Sequence, residues 1–232
     1  MLMLSVDSSA APASVCLTED GKIIADYYLN TGFTHSQTLM AMTESVLNIS
    51  GKKAEEIDVY AVNNGPGSFT GVRIGVSAVK GMAFAKDRPC IAVSTLLSMA
   101  YNCIGDHCIV CACMDARRQQ VYNAVFRVRG MEVERLTEDR AISIEELITD
   151  LNMYDEQIML LGDGAELVSR AVQSDHIVLA PEQIRFQRAA STAAAALEAY
   201  NRGEALSPAA LMPSYLRLSQ AERERNAKQK GI

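Results

Sequence analysis

The sequence predicts an α/β chain of two similar lobes, each built on a mixed sheet. Three observations carry this. Apolar runs of strand length alternate with stretches of helical period. The chain opens with three consecutive strands, two of them joined by an Asp-Gly turn. A second strand-rich series then begins near residue 106, after one strand–helix series has run its course.

Leu2 to Val6 is the first strand and ends in polar Asp7, Ser8 and Ser9. Ser14 to Thr18 follows, then the turn at Asp20-Gly21, then Ile23 to Leu29. Thr34 and Gln37 read as a capping box for a helix carrying Leu39, Met42, Val46 and Ile49 at helical spacing, which Gly51 ends. Val59 to Asn63 is a strand feeding the loop "NNGPGSFTG", and Val72 to Lys86 is a helix with one unusually small side. Cys90 to Val93 closes a lobe over residues 1–105.

The second lobe, residues 106–216, opens with His107 to Met114. In the next strand Tyr122, Ala124, Phe126 and Val128 alternate. Ser143 and Glu146 cap a short helix, Ile158 to Leu161 is a strand, "GDG" at 162–164 a turn, and Ala165 to Gln173 and Ala189 to Tyr200 are helices. Residues 217–232 form a charged tail with five basic residues against two acidic ones.

Composition narrows the function classes. A chain of 232 residues, 49% hydrophobic and 22% charged, can bury a sizeable core. Its formal net charge of −6 makes it a poor stand-alone binder of nucleic acid. The opening "MLMLSVDSS" is too short for a signal peptide and lacks a basic leader, and no run approaches the ~20 apolar residues of a membrane-spanning helix. A cytoplasmic protein that makes no membrane contact is expected. Cys103, Cys108 and Cys111 match a plant-type ferredoxin spacing, but Cys108 to Met114 alternates small and branched apolar residues as a buried strand does. Buried, reduced thiols and no metal are therefore expected.

The glycine loop meets neither nucleotide motif. Gly65, Gly67 and Gly71 give GxGxxxG, one residue too long for the dinucleotide fingerprint, and no Lys follows Gly71 as a P-loop requires. Its backbone amides could form an anion nest, while Gly71 and Gly75, four apart, suit close helix packing; packing is the stronger reading. Asp7, Ser8 and Ser9 at a strand end suit Mg2+ and phosphate oxygens, or are an ordinary polar strand terminus. Gly162 to Gly164 would bring backbone close to an adenosine, or simply turn the chain. His35, His107 and His176 are far apart, and neither HExxH nor GxSxG occurs.

The motifs "VDSS" at 6–9, "HSQTLM" at 35–40, "GPGSFTGVRIGVSAVKGMAFA" from Gly65, "MDARRQQVY" at 114–122, "GDGA" at 162–165 and "PSYLR" at 213–217 run through the chain in order. Together they closely resemble the TsaB (YeaZ) family of tRNA threonylcarbamoyladenosine biosynthesis. The resemblance implies the actin-like ATPase fold, ribonuclease H-like, with each lobe starting in three strands. It also implies kinship with TsaD, the catalytic subunit that transfers threonylcarbamoyl to adenosine 37 of tRNAs reading ANN codons. TsaD carries a His-x-x-x-His metal motif where this chain has "STLLS", so Ser94 and Ser98 stand at the positions of the two histidines. Hydroxyls are poor transition-metal ligands beside imidazole.

By resemblance the chain is a non-catalytic scaffold that pairs with TsaD, supports the ATPase TsaE, and pairs with itself when alone. It meets tRNA mainly through the complex. It holds no cofactor of its own, ATP or ADP with Mg2+ entering in the complex. The pairing surface would comprise His35, Leu39, Met42, Gly71, Val72, Gly75, Ala78 and Val79, so Gly75→Leu is expected to leave the monomer folded and abolish pairing. Asp7, Ser8, Ser9, Gly162 and Gly164 are nucleotide candidates. The competing readings are an independent ATPase or kinase of the same fold and a glycoprotease-like peptidase.

Overall fold

The structure is a computed structural model and describes residues 1–217. Its first half runs β1 (Leu2–Asp7), β2 (Ala13–Glu19), β3 (Lys22–Leu29), α1 (His35–Ser50), β4 (Val59–Gly65), α2 (Phe69–Phe84), β5 (Cys90–Ser94) and α3 (Thr95–Ala100). The second half runs β6 (His107–Asp115), β7 (Gln120–Arg129), β8 (Glu132–Arg135), β9 (Arg140–Ser143), α4 (Ile144–Leu151), β10 (Ile158–Leu161), α5 (Ala165–Ala171), β11 (Ile177–Leu179), α6 (Glu182–Arg185) and α7 (Ala189–Asn201).

Two sheets share one topology. The first has the order β3-β2-β1-β4-β5, antiparallel across β1–β2–β3 and parallel across β1–β4–β5. The second repeats it as β8-β7-β6-β10-β11, with β9 also paired to β7. The hairpin chemistry behind the first sheet is local: Asp20 and Gly21 take φ of 51° and 80°, as a primed turn demands.

Both faces of each sheet are covered, which is why β1 and β6 are near-continuous apolar runs. Leu4, Val6, Val15 and Val62 meet Leu39, Met42, Val46, Val72, Val76 and Val79 of α1 and α2 on one face of the first sheet. Met3, Val59, Ala61, Ile91 and Val93 meet Ala195, Ala196 and Ala199 of α7 on the other. In the second sheet Ala124, Phe126 and Val128 pack with α3, while Val121 and Val125 pack with α4 and α5. All six cysteines are buried and free, as small core residues.

The division at residue 105 is corrected in its last third. Helix α7 packs on the first sheet, and Leu206 exchanges two backbone hydrogen bonds of 2.8 Å with Cys90 at that sheet's edge. The chain thus returns to the first lobe after completing the second. The tail from 218 onward lies outside the described residues.

Three helix expectations also change. Helix α2 starts at Phe69, three residues early, because the Ser68 hydroxyl accepts the Gly71 N–H at 3.2 Å. Thr34 makes no capping bond to the backbone; its hydroxyl donates to Gln37 Oε1 at 2.9 Å. Ile49 is 81% exposed, since the last turn before Gly51 leaves the buried face. The box at Ser143 and Glu146 does form. Among the described residues no helix is long and apolar enough to cross a membrane.

Candidate functional site

The glycine loop joins β4 to α2, and its glycines admit the chain's own backbone. A Cβ at Gly65 (φ 125°) would collide with the Ser214 carbonyl oxygen, and one at Gly67 with that of Ser9. The Ser68 N–H donates to this Ser9 oxygen at 2.6 Å. A Cβ at Gly71 would meet the Ser8 carbonyl oxygen; at Gly75 it would lie 2.5 Å from Ser8 Oγ and 3.4 Å from Val62. Ser8 Oγ itself donates to the Gly71 carbonyl at 2.9 Å. The loop and the inner edge of α2 therefore clasp the β1–β2 turn. Close packing is the correct reading of the glycines, but the surface they pack against belongs to this chain.

That corrects the expected pairing surface. Leu39, Met42, Gly71, Val72, Gly75 and Val79 are buried in the monomer, Ala78 is half-buried against the same core, and His35 points into the interlobe cleft. The outward stripe of α2 is instead Thr70, Arg73, Ser77, Gly81 and Phe84, spaced three, four, four and three residues apart. Phe84 is 72% exposed, and a Cβ at Gly81 would meet open space. On α1 the exposed counterparts are Ser36 and Met40. Ser36, Ile74 and Ser77 line a shared groove of about 500 Å3 between the two helices.

A cleft of about 760 Å3 lies between the lobes. One wall is Ala10, Phe33, His35, Ser68 and Phe69; the other is Asp115, Ala116, Arg117, Tyr122 and Asp163. His35 Nε2 lies 2.7 Å from the Ala10 carbonyl. Asp163 accepts the Asp115 N–H at 3.1 Å, and burial together with the nearby Asp115 carboxylate holds its carboxyl above the ordinary range.

None of the five nucleotide candidates lines this cleft. Asp7 is buried below it, accepting the Ser9 N–H at 2.9 Å, and desolvation pushes its carboxyl up. Ser8 and Ser9 hold the glycine loop as described. Gly162 and Gly164 press against β6, where side chains would strike Cys113 and the Met114–Asp115 peptide. Ser8 Oγ and one Asp7 oxygen are hydrogen-bonded within the fold, while Asp7 Oδ2 and Ser9 Oγ are buried without a hydrogen-bond partner among the described residues; the cleft wall carries two carboxylates. Sequence reasoning missed Asp163, which sits between the two glycines it singled out; its polar character at a β–α turn was the available signal.

Ser94 and Ser98 also hold the fold together. Ser94 caps α3 by accepting the Leu97 N–H at 3.3 Å and donates to Asp139 at 2.6 Å. Ser98 is fully buried, accepting from Asn63 at 3.2 Å and lying 3.1 Å from the Thr192 hydroxyl. Among the described residues no group of three or more His, Cys, Asp and Glu side chains is placed to hold a metal ion.

The last described segment straps the lobes. Ser214 N–H donates to the Asn64 carbonyl at 2.7 Å, and the Tyr215 ring stacks on Phe69 at 4.8 Å with its hydroxyl accepting from Arg73 at 2.8 Å. Two residues on, Arg217 donates to the Ala116 carbonyl at 3.3 Å and to the Gln120 side chain. The strap thus runs from α2 across to the β6–β7 turn.

Comparison with known proteins agrees with this architecture. The profile of the TsaD family, tRNA N6-adenosine threonylcarbamoyltransferase, matches residues 30–225. The Bacillus subtilis tRNA threonylcarbamoyladenosine biosynthesis protein TsaB is 29% identical over 226 residues, covering 96% of each chain. Its Escherichia coli counterpart is 28% identical, over 94% of this chain and 95% of that one. The YeaZ structure from Pseudomonas aeruginosa superposes with a TM-score of 0.82 at 28% identity, covering 93% of this chain and 99% of that one. With the duplicated sheet topology, these place the molecule in the actin-like ATPase fold. The chain belongs to the TsaD family, in its TsaB (YeaZ) branch.

Proposed function

We propose that this chain is an accessory subunit of tRNA threonylcarbamoyladenosine synthesis: it pairs with the catalytic TsaD subunit, supports the ATPase TsaE, and does not itself transfer threonylcarbamoyl. The observation that carries this reading is the state of Ser94 and Ser98. Where the catalytic relative resembled above has two metal-binding histidines, this chain has one hydroxyl capping a helix and one buried in a hydrogen-bonded chain with Asn63 and Thr192. Neither is free to bind a metal or a substrate.

Pairing would use the outward stripe of α2 and the exposed edge of α1, where Met40, Gly81 and Phe84 offer apolar contact and a close helix approach. The same face would serve self-association when the partner is absent. Nucleotide with Mg2+ would meet this chain only in the complex, because Asp7, Ser8 and Ser9 are buried and none of them lines the cleft. A location in the cytoplasm, where the tRNA is, follows from this role.

The test is a reconstituted modification reaction read by nucleoside mass spectrometry. It contains TsaD, TsaE, the threonylcarbamoyl-AMP synthase, ATP, threonine, bicarbonate and an unmodified tRNA. Omitting this chain abolishes the modified adenosine and adding it back restores the yield; a yield indifferent to the chain overturns the proposal.

A further inference from the structure

The β6–β7 turn is built against its own backbone preferences. Arg117, Arg118 and Gln119 have φ of 68°, 57° and 57°, three consecutive non-glycine residues in the left-handed region. Such residues persist only where the surroundings over-determine them. Here they do. The Arg117 N–H is held by Asp115 Oδ1 at 2.7 Å, the Ala116 N–H by the Gln120 carbonyl at 3.0 Å, and the Gln119 carbonyl by the Ile144 N–H at 3.1 Å. Arg217 grips the turn from behind, at the Ala116 carbonyl and the Gln120 side chain.

This fixed turn presents Arg117 and Arg118 to solvent at the cleft mouth. Arg117 is 87% exposed and shares its charge with Asp115 at 3.5 Å; Arg118 has no carboxylate partner among the described residues. The row continues through Arg217 to Arg73, whose guanidinium lies 3.7 Å over the Phe69 ring. Four arginines thus follow one rim in a chain of net charge −6.

We infer that this rim, centred on Arg118 and Arg117, is a direct contact of this chain with the tRNA phosphate backbone. The inference rests on the proposed role in tRNA modification and adds to it a surface by which this subunit itself meets the substrate. An ordered row of guanidinium groups recognises phosphates bidentately, and its contribution to affinity falls with salt as counterions are released. Glycine would relieve the turn, so the arginines stand there at the expense of local backbone comfort.

The test uses the complex of this chain with TsaD and an unmodified transcript of an ANN-reading tRNA, titrated by fluorescence anisotropy across a salt series. Size-exclusion chromatography first establishes pairing for the parent chain and for the Arg117→Gly/Arg118→Gly variant. Because glycine enters the left-handed region freely, the variant keeps its thermal stability and its pairing. Its tRNA affinity falls about tenfold, and the slope of log K against log salt drops by about one to two. A second variant, Arg118→Glu, gives a loss in the same direction. Intact pairing with unchanged affinity and salt slope overturns this inference alone. A parent chain that does not pair with TsaD overturns the proposed function, and this inference with it.

Discussion

The two faces of α2 use small residues for opposite purposes. The inner face, Gly71 and Gly75, lets the β1–β2 turn approach so closely that Ser8 sits where side chains would be. On the outer face Ser77 and Gly81 are exposed, and a Cβ at Gly81 would meet open space among the described residues. A run of glycines and alanines in a helix therefore does not say which neighbour it serves. The inner glycines complete the monomer's packing, and the outer one leaves open space beside the helix.

The comparison breaks most severely at the inner face. Gly75→Leu places carbons where Ser8 Oγ and Val62 already lie, and costs about 3 kcal/mol or more of stability. Urea unfolding reads it as a large drop in midpoint. This reverses the sequence expectation of a folded monomer that fails only to pair. In α3, Ser98→Ala removes a fully buried hydroxyl that links Asn63 to Thr192 and costs about 1–3 kcal/mol by the same measurement.

A smaller effect sharpens the account of Asp7. Burial raises its carboxyl, so the folded chain keeps a proton that the unfolded chain releases. Its contribution to stability therefore falls as pH rises from the unfolded value near ~3.9 through the higher folded one. Asp7→Asn removes that loss. The variant melts above the parent at pH 7, and the gap closes as the pH approaches 4. The smallest effects distinguish a working cap from a nominal one. Ser143→Ala costs about 1 kcal/mol because its hydroxyl accepts the Glu146 N–H at 3.2 Å, whereas Thr34→Ala changes thermal stability by no more than a few tenths.

Much of the fold was legible because it was written locally. The Asp20-Gly21 turn, the Ser143 box, Gly51 and the apolar strands each depend on neighbours in sequence. The short elements β8, β9, β11, α3 and α6 were not read, since three to six residues carry too little periodicity. Long-range facts were equally hidden. That α7 returns to the first sheet depends on which alanines meet Met3 and Ile91, and no spacing encodes this. The site suffered most. Glycine spacing announced close approach at Gly71 and Gly75 but could not name Ser8 as the neighbour, some sixty residues away. The polar stretch "DARR" at 115–118 marks a turn between the two strands, but the left-handed backbone at Arg117 to Gln119 gave no signal, because arginine and glutamine do not favour that conformation.

The most direct test of the two-faced helix is the affinity of the Gly81→Leu chain for TsaD, measured by isothermal titration calorimetry beside the parent. Gly81 is exposed and has open space about its Cα, so the variant melts as the parent does. The expected result is that the added side chain holds the partner helix away and weakens pairing by tenfold or more, roughly 1.4 kcal/mol. An undiminished affinity in a chain whose melting is unchanged would contradict it, and would move the pairing surface off the outer face of α2.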